Sequence, residues 1–285
     1  MTSRIAIQVI KTIKDMRRLR QILHGTIGFV PTMGYLHKGH LSLVKLAQEK
    51  NDHVIVSIFI NPKQFGPKED FQTYPRNTKR DLLLLKKANV GIVFLPNVDE
   101  LYPSGYESYV HVEKVTKKLE GKSRPQHFIG VATVVTKLFN IIQPSHAYFG
   151  QKDAQQVIVI KKMVTDLNIP IDIIVGETLR ESDGLAMSSR NIFLNDRERK
   201  QANIIYKSLR FAQQLFESGE DNTKKIKSKM KNLIHTTLGH VDYISISDPQ
   251  TLKEVAKIDK MVLVNLVVRF GKTRLIDNIY LKKIK

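Results

Sequence analysis

The stretch TIGFVPTMGYLHKGHLSLVKLAQEK, residues 26–50, decides the fold. Residues 26–30 form a short apolar run that ends at Pro31 and reads as a strand. From Gly39 to Lys50, Leu41, Val44, Leu46 and Ala47 fall at helical spacing, so residues 39–50 read as a helix. Between the two lies a polar turn with Gly34 and Gly39 and with His37 and His40 three residues apart. The start of a helix leaves backbone N–H groups unpaired and carries a positive potential, which favours phosphate. A strand, a phosphate-accepting turn and a helix begin a βαβ unit, and βαβ units build parallel sheets.

Outward from this stretch the alternation continues. Residues 53–60 are apolar on nearly both faces, as a buried parallel strand is. The pattern predicts helices over 78–88, 131–142 and 154–167, and strands over 90–95, 147–149 and 171–175. The texture changes after Arg180. A polar loop over 181–195 leads to one helix from Asn195 and Asp196 to about Phe216. A second helix follows over 221–236, then strands over 241–245, 261–270 and 274–280. The expected fold is α/β. A Rossmann-like, mostly parallel sheet with helices on both faces spans 1–178, and a small C-terminal α+β domain spans 179–285. In such sheets ligands bind at the carboxyl ends of the strands, where the strand order switches.

Composition narrows the chemistry. Among 285 residues there is no Cys, which excludes disulfides, thiolate metal sites and a cysteine nucleophile. No leader is read at residues 1–8 and no apolar run is long enough for a membrane span, so the expected location is the cytoplasm. Lys and Arg number 46 against 27 Asp and Glu, a net charge of +19. The densest basic stretches are 11–20, 224–231 and Lys282, Lys283 and Lys285. Lysines 224, 225, 227, 229 and 231 interleave with Ile226 and Met230 as the solvated face of a helix does. No stacking ladder or nucleic-acid-binding motif accompanies them, so the charge reads as solvated surface, with polyanion contact the alternative.

Four segments carry chemistry. In the first, the two imidazoles can donate to phosphate oxygens and stabilise a leaving pyrophosphate. A zinc pair and a pair of packed or capping histidines are the competing readings. In the second, Asn61-Pro62-Lys63-Gln64-Phe65-Gly66 sits at the carboxyl end of the 53–60 strand. The Gln64 amide can donate to a carboxylate and accept from a hydroxyl, or simply stabilise a turn. Phe65 reads as core or an apolar wall, and Asp70 as a loop anchor or a ligand contact. In the third, Arg124 reads equally as a phosphate contact or an ion-pair partner. Further on, Gly150 permits close approach, Lys152 can neutralise phosphate and Asp153 can accept from ribose hydroxyls or cap a helix. Gln155 and Gln156 point different ways along a helix, so only one faces the site. In the fourth, Ser188 and Ser189 followed by Arg190 suit a triphosphate, or a linker with a capping serine.

His37-x-Gly39-His40 resembles the HxGH signature of the nucleotidyltransferase superfamily. Five motifs narrow this: PTMGYLHKGH, SIFINPKQFGPKEDFQTYPR, RPQHFIGVATVV, YFGQKDAQQ and RESDGLAMSSRN. Together they resemble the pantothenate synthetases, with RFGKTRLIDN near the end familiar as well. The resemblance implies an AMP-forming ligase that condenses pantoate with β-alanine through a pantoyl adenylate. It implies catalysis by His37, His40, Lys152 and Arg190, and pantoate held by Gln64 and Gln156. ATP would meet Met33, Gly39, Gly150, Asp153, Leu179, Met187, Ser188 and Ser189. A homodimer is implied too. Mg2+ should bridge phosphate oxygens and lower their repulsion, and the C-terminal domain, which lies beyond the fourth segment, is the expected lid. Tyr35 and Lys38 depart from the smaller or acidic residues of the family motif, which bears on affinity and not on reaction class. The rivals are another HxGH-type adenylate-forming enzyme or nucleotidyltransferase and, remotely, a basic RNA-binding protein on the same scaffold.

Overall fold

A computed structural model describes residues 7–67 and 69–283. Most of residues 1–8, and Lys285 of the basic tail, lie outside the described residues. The chain divides into two compact units, with breaks at Gly150/Gln151, Ala154/Gln155 and Glu177/Thr178.

The first unit carries β1 (Gln8–Ile10), α1 (Ile13–Ile22), β2 (Ile27–Thr32), α2 (Lys38–Gln48), β3 (His53–Ile58), α3 (Thr78–Lys87) and β4 (Ile92–Phe94). Two short helices, α4 (Val98–Leu101) and α5 (Glu120–Ser123), precede α6 (His127–Ile142), β5 (His146–Gly150), α7 (Ala154–Asp166) and β6 (Asp172–Gly176). The six strands lie in the order β1-β4-β3-β2-β5-β6 and pair in parallel throughout. The chain runs outward from β2 through β3 to β4, then returns to lay β5 on the other side of β2. The carboxyl ends of β2 and β5 are therefore the switch point.

Alternation along the strands gives the sheet two apolar faces. Val30, Val56, Val93 and Tyr148 cluster with Leu43, Val44 and Ala47 of α2 and Leu85 of α3. From the opposite face, Phe29 of β2 meets Phe139 of α6 edge-on at 6.4 Å. Helices thus cover both faces. β1 and α1 have no counterpart in the sequence reading: β1 is three residues long, and Met16 is the one buried residue of α1.

β2 does not stop at Pro31 but continues to Thr32. Pro31 is opposite Ser57 of β3, while pairing with β5 involves Gly28 and Phe29. The Ile27 carbonyl accepts from Ser145 beside β5, and the Thr32 carbonyl accepts from Phe59 beside β3. By alternation Pro31 faces the β5 side, beyond the end of that ladder, where its missing N–H breaks no bond.

The second unit contains α8 (Asp196–Gln201), α9 (Ile204–Glu217), α10 (Thr223–Ile234), β7 (His240–Ser247), β8 (Val262–Phe270) and β9 (Thr273–Leu281). The three strands form an antiparallel sheet in chain order. One face packs Ile246, Val264, Leu266 and Leu275 against Ile205 and Leu209 of α9 and Ile226 and Met230 of α10. The single helix expected over 195–216 is two. α8 buries no residue and rests on the Asn195–Glu198 capping box, so no apolar stripe holds it in line with α9.

Phe139 is 2% exposed. Phe139→Ala should destabilise the protein by about 3–5 kcal/mol, read as a lowered urea midpoint with an unchanged slope.

Candidate active site

The turn after β2 is held from a distance. Gly34 and Tyr35 both take left-handed backbone angles, with φ of 81° and 50°. Asp81, in the first turn of α3 and 1% exposed, accepts from the Tyr35 N–H at 2.7 Å and the Leu36 N–H at 2.8 Å. A charged acceptor with two N–H donors makes strong bonds, and these stabilise a conformation that a tyrosine adopts reluctantly. The Tyr35 ring lies beneath the Arg80 guanidinium at 5.2 Å. Lys38 is exposed and opens α2. Asp81 was not singled out by the sequence reading, since an acid in a helix's first turn reads as an ordinary partner of the dipole.

This turn delivers His37 and His40 to the start of α2. His37 is the N-cap, and its Nδ1 accepts from the Gly39 N–H at 3.2 Å. His40 Nδ1 accepts from the His37 N–H at 3.3 Å. A ring nitrogen that accepts carries no proton, so each neutral imidazole bears its hydrogen on Nε2. The ring centroids are 4.0 Å apart. Capping and phosphate binding, posed as alternatives, are compatible: one nitrogen of each ring caps and the other is a donor.

Gln64 sits in a 3-10 turn, Pro62–Gln64, after β3, and is buried. Its Oε1 accepts from Asn61 Nδ2 at 3.1 Å, and Asn61 also donates to the Gly130 carbonyl at 3.0 Å. Gln64 Nε2 donates to Met33 Sδ at 3.1 Å, a weak acceptor that a substrate oxygen outcompetes. The structure thus brings Met33 and Gln64 together. The Gln64 carbonyl is held by His127 Nδ1 at 2.9 Å. Gly130 makes the approach of α6 possible, because a Cβ there would come within 2.3 Å of the Lys63 carbonyl oxygen. Burial, reinforced by the Arg124 charge, pushes His127 down to about 4, so it is a neutral Nδ1–H donor. Of the two readings of Arg124, the structure shows the ion pair: Nε and Nη2 meet Glu69 at 2.7 and 2.5 Å. Burial works against the Glu69 charge, but the Arg124 bonds outweigh it and hold the carboxyl below its usual range. Asn61, 1% exposed, is a further candidate; its place three before Gln64 was the available signal.

The two glutamines of α7 separate cleanly. Gln155 Nε2 donates to the Val115 and Lys118 carbonyls and its Oε1 accepts from the Glu120 N–H. That spends its amide on the chain and leaves Gln156, half-buried, as the candidate. Gly150 ends β5 beside open space, since an added Cβ there would meet nothing within 4 Å. Gly39 lies in the first turn of α2. These residues belong to the first unit.

Lys152 and Asp153 lie in a 3-10 turn, Gln151–Asp153, that belongs to the second unit, with Nζ and Oδ1 3.7 Å apart. The same unit holds a hairpin over 179–187. The Met187 N–H donates to the Leu179 carbonyl at 3.0 Å, and Arg180 pairs with Ala186. Beyond it, Ser188 caps a 3-10 turn, Ser189–Phe193, accepting from the Arg190 N–H at 3.2 Å. Ser188 therefore does cap, while Ser189 and Arg190 lie inside the turn it starts.

The family profile described as Pantoate-beta-alanine ligase matches residues 8–280. The chain belongs to the pantoate–β-alanine ligase family. It is 53% identical over 274 residues to the pantothenate synthetase of Herpetosiphon aurantiacus, covering 95% of this chain and 99% of that one. Identity to the pantothenate synthetase of Acetivibrio thermocellus is 54%, with 95% and 98% covered. Among solved structures, pantothenate synthetase from Thermus thermophilus superposes with a TM-score of 0.92 at 41% identity, covering 96% and 99%. The pantoate-beta-alanine ligase from Francisella tularensis, complexed with beta-gamma ATP and beta-alanine, gives 0.81 at 39% identity, covering 96% and 97%. As a member of this ligase family the chain is an AMP-forming enzyme with ATP as a substrate. Among the described residues no helix is long and apolar enough to cross a membrane.

Two predictions concern the Gln64 clamp. The unfolded chain protonates His127 near 6.5 while the folded chain resists until about 4. The unfolded state therefore binds more protons in this window, and stability rises with pH across it and is lost as pH falls through it. The contribution is about 3 kcal/mol. His127→Asn keeps a donor and removes the titration, so its urea stability should depend less on pH between 6.5 and 4 than the parent's. Gly130→Ala should cost about 1–3 kcal/mol and raise the KM for pantoate more than that for ATP, read by steady-state kinetics.

Proposed function

We propose that this ligase works in two steps. A carboxylate oxygen of pantoate attacks the α-phosphorus of ATP, and the bond to the leaving pyrophosphate breaks. The amine nitrogen of β-alanine then attacks the carbonyl carbon of the resulting pantoyl adenylate; AMP leaves and the amine loses a proton. The substrates supply both nucleophiles, so the protein's task is positioning and charge stabilisation.

The observation that carries this reading is the locked pair His37 and His40, two Nε2–H donors at the start of α2, beside the switch point of a parallel sheet. They would donate to the phosphate oxygens on which charge grows. Lys152, Arg190, Ser188 and Ser189 would supply the other donors, Lys152 as a mobile cation and Arg190 as a fixed fork. Asp153 would accept from ribose, the Leu179 and Met187 backbone would receive adenine, and Met33, Gly39 and Gly150 would meet ATP as well. Gln64 and Gln156 would hold pantoate. Closure of the second unit over the adenylate would exclude water.

Magnesium would arrive with the nucleotide as MgATP and screen the phosphate charges. The side chains proposed for the phosphates, His37, His40, Lys152, Ser188, Ser189 and Arg190, are N–H and O–H donors, which suit phosphate oxygens and leave the cation to the nucleotide. A homodimer and a cytoplasmic location complete the proposal. Solvated surface remains the reading of the +19 charge: α10 buries Ile226 and Met230 and leaves Lys224, Lys225 and Lys229 exposed.

Pyrophosphate release from MgATP tests the scheme. Release should require pantoate and not β-alanine, with AMP and pantothenate appearing only when β-alanine is added. Release without pantoate, or none until β-alanine is present, would contradict it. Replacing His40 by Ala should lower the rate of pantoate-dependent release by about 10²–10³ while changing ATP affinity far less.

A further inference from the structure

The motif at 269–278, which the two-step scheme leaves without a task, ends in Asp277 and Asn278 on β9. Adjacent residues of a strand project to opposite faces of its sheet. Asp277 shares its face with Leu275 and Leu281, the face packed on α9 and α10. Asn278 occupies the other, in register with Asn265 of β8.

On its face, Asp277 is 2% exposed and takes Arg180 in a two-pronged bond, Nη1 to Oδ2 at 2.6 Å and Nη2 to Oδ1 at 3.1 Å. Arg180 Nη1 also donates to the Gly184 carbonyl at 3.1 Å, and its guanidinium lies 3.9 Å from the Tyr206 ring centre. One arginine thereby ties the first arm and the turn of the 179–187 hairpin to β9.

On the opposite face, Asn278 is 3% exposed and spends its whole amide on the Gln151–Asp153 turn. Nδ2 donates to the Gln151 carbonyl at 3.0 Å and the Lys152 carbonyl at 2.9 Å, while Oδ1 accepts from Gln151 Nε2 at 2.8 Å. These bonds give a physical reason why residues 151–154, from the end of β5 to the first residue of α7, belong to the second unit.

We propose that Asp277-Asn278 is a positioning dipeptide that fixes the lysine bound for phosphate and the hairpin bound for adenine at one spacing. The inference rests on the roles given above to Lys152, Leu179 and Met187. A nucleotide spans adenine and phosphates with a set separation, and a two-sided anchor on one strand holds both receivers to it. Neither residue needs to touch ATP. Asn278 acts through the backbone that aims Lys152, and Asp277 through the hairpin.

The test is a pair of single variants and a double-mutant cycle on the full chain, read by single-turnover pyrophosphate release and ATP affinity. Asn278→Ala should slow release by at least about tenfold at saturating ATP, with little change in affinity. Asp277→Asn should weaken ATP binding and leave the saturated rate nearer the parent's, a split that a merely structural role would not produce. In a Lys152→Ala background, Asn278→Ala should cost less than about twofold more, because its route of action is gone. Asn278→Asp, isosteric but facing two carbonyl oxygens with a carboxylate, should repeat the loss and serves if the alanine variant does not fold. Additive costs in the cycle, or equal effects of both single variants on rate and affinity, would overturn the positioning role. A Lys152→Ala enzyme with the parent's rate would instead overturn the phosphate role of Lys152, and the anchor with it.

Discussion

Two backbone N–H groups at the start of α2 fix the two imidazoles on which the proposed chemistry rests. Each binds the Nδ1 of one histidine, Gly39 to His37 and His37 to His40. The bonds are individually modest, but they dictate which nitrogen carries the proton and where the ring lies. Everything around them serves that placement. β2 brings the chain to the switch point, Asp81 holds the left-handed turn, and Gly34 and Tyr35 supply the bend. A helix start that would otherwise leave its N–H groups to water hands the same polarity on to two imidazoles.

The Gln64 side is built on a different constraint, close approach. Gly130 lets α6 come against the 3-10 turn after β3, and His127, Asn61 and Arg124 close the gap with hydrogen bonds and an ion pair. Because desolvation keeps His127 neutral, the clamp needs no counter-charge, and its cost appears only in acid. The Gln64 amide is then fixed at its oxygen and weakly satisfied at its nitrogen, an arrangement suited to a small hydroxy acid.

The βα turns were legible in the sequence because their chemistry is local. His37 and His40, Lys152 and Asp153, and Ser188 through Arg190 each fall within a few residues at a strand or helix end. The alternation of elements was legible for the same reason, apart from β1 and α1, which have too few buried residues to leave a pattern. What escaped are the partners that come from far along the chain. Leu36 and Asp81 are 45 residues apart, Gln64 and His127 are 63, and Gln151 and Asn278 are 127. No periodicity reports such a pairing. Pro31 misled in a related way, since its effect depends on where the β2–β5 ladder ends and not on its own neighbours. For the histidines the structure shows capping and leaves phosphate contact compatible with it, because a residue letter does not show that a ring has two nitrogens able to serve separate partners.

The most direct measurement is nitrogen NMR of the ring atoms of His37 and His40 in the free enzyme at neutral pH, assigned by single replacement. The account requires both rings as the Nε2–H tautomer, with Nδ1 unprotonated, and an Nε2 response when MgATP is added. A ring protonated on Nδ1, or tautomers exchanging freely in both residues, would contradict it.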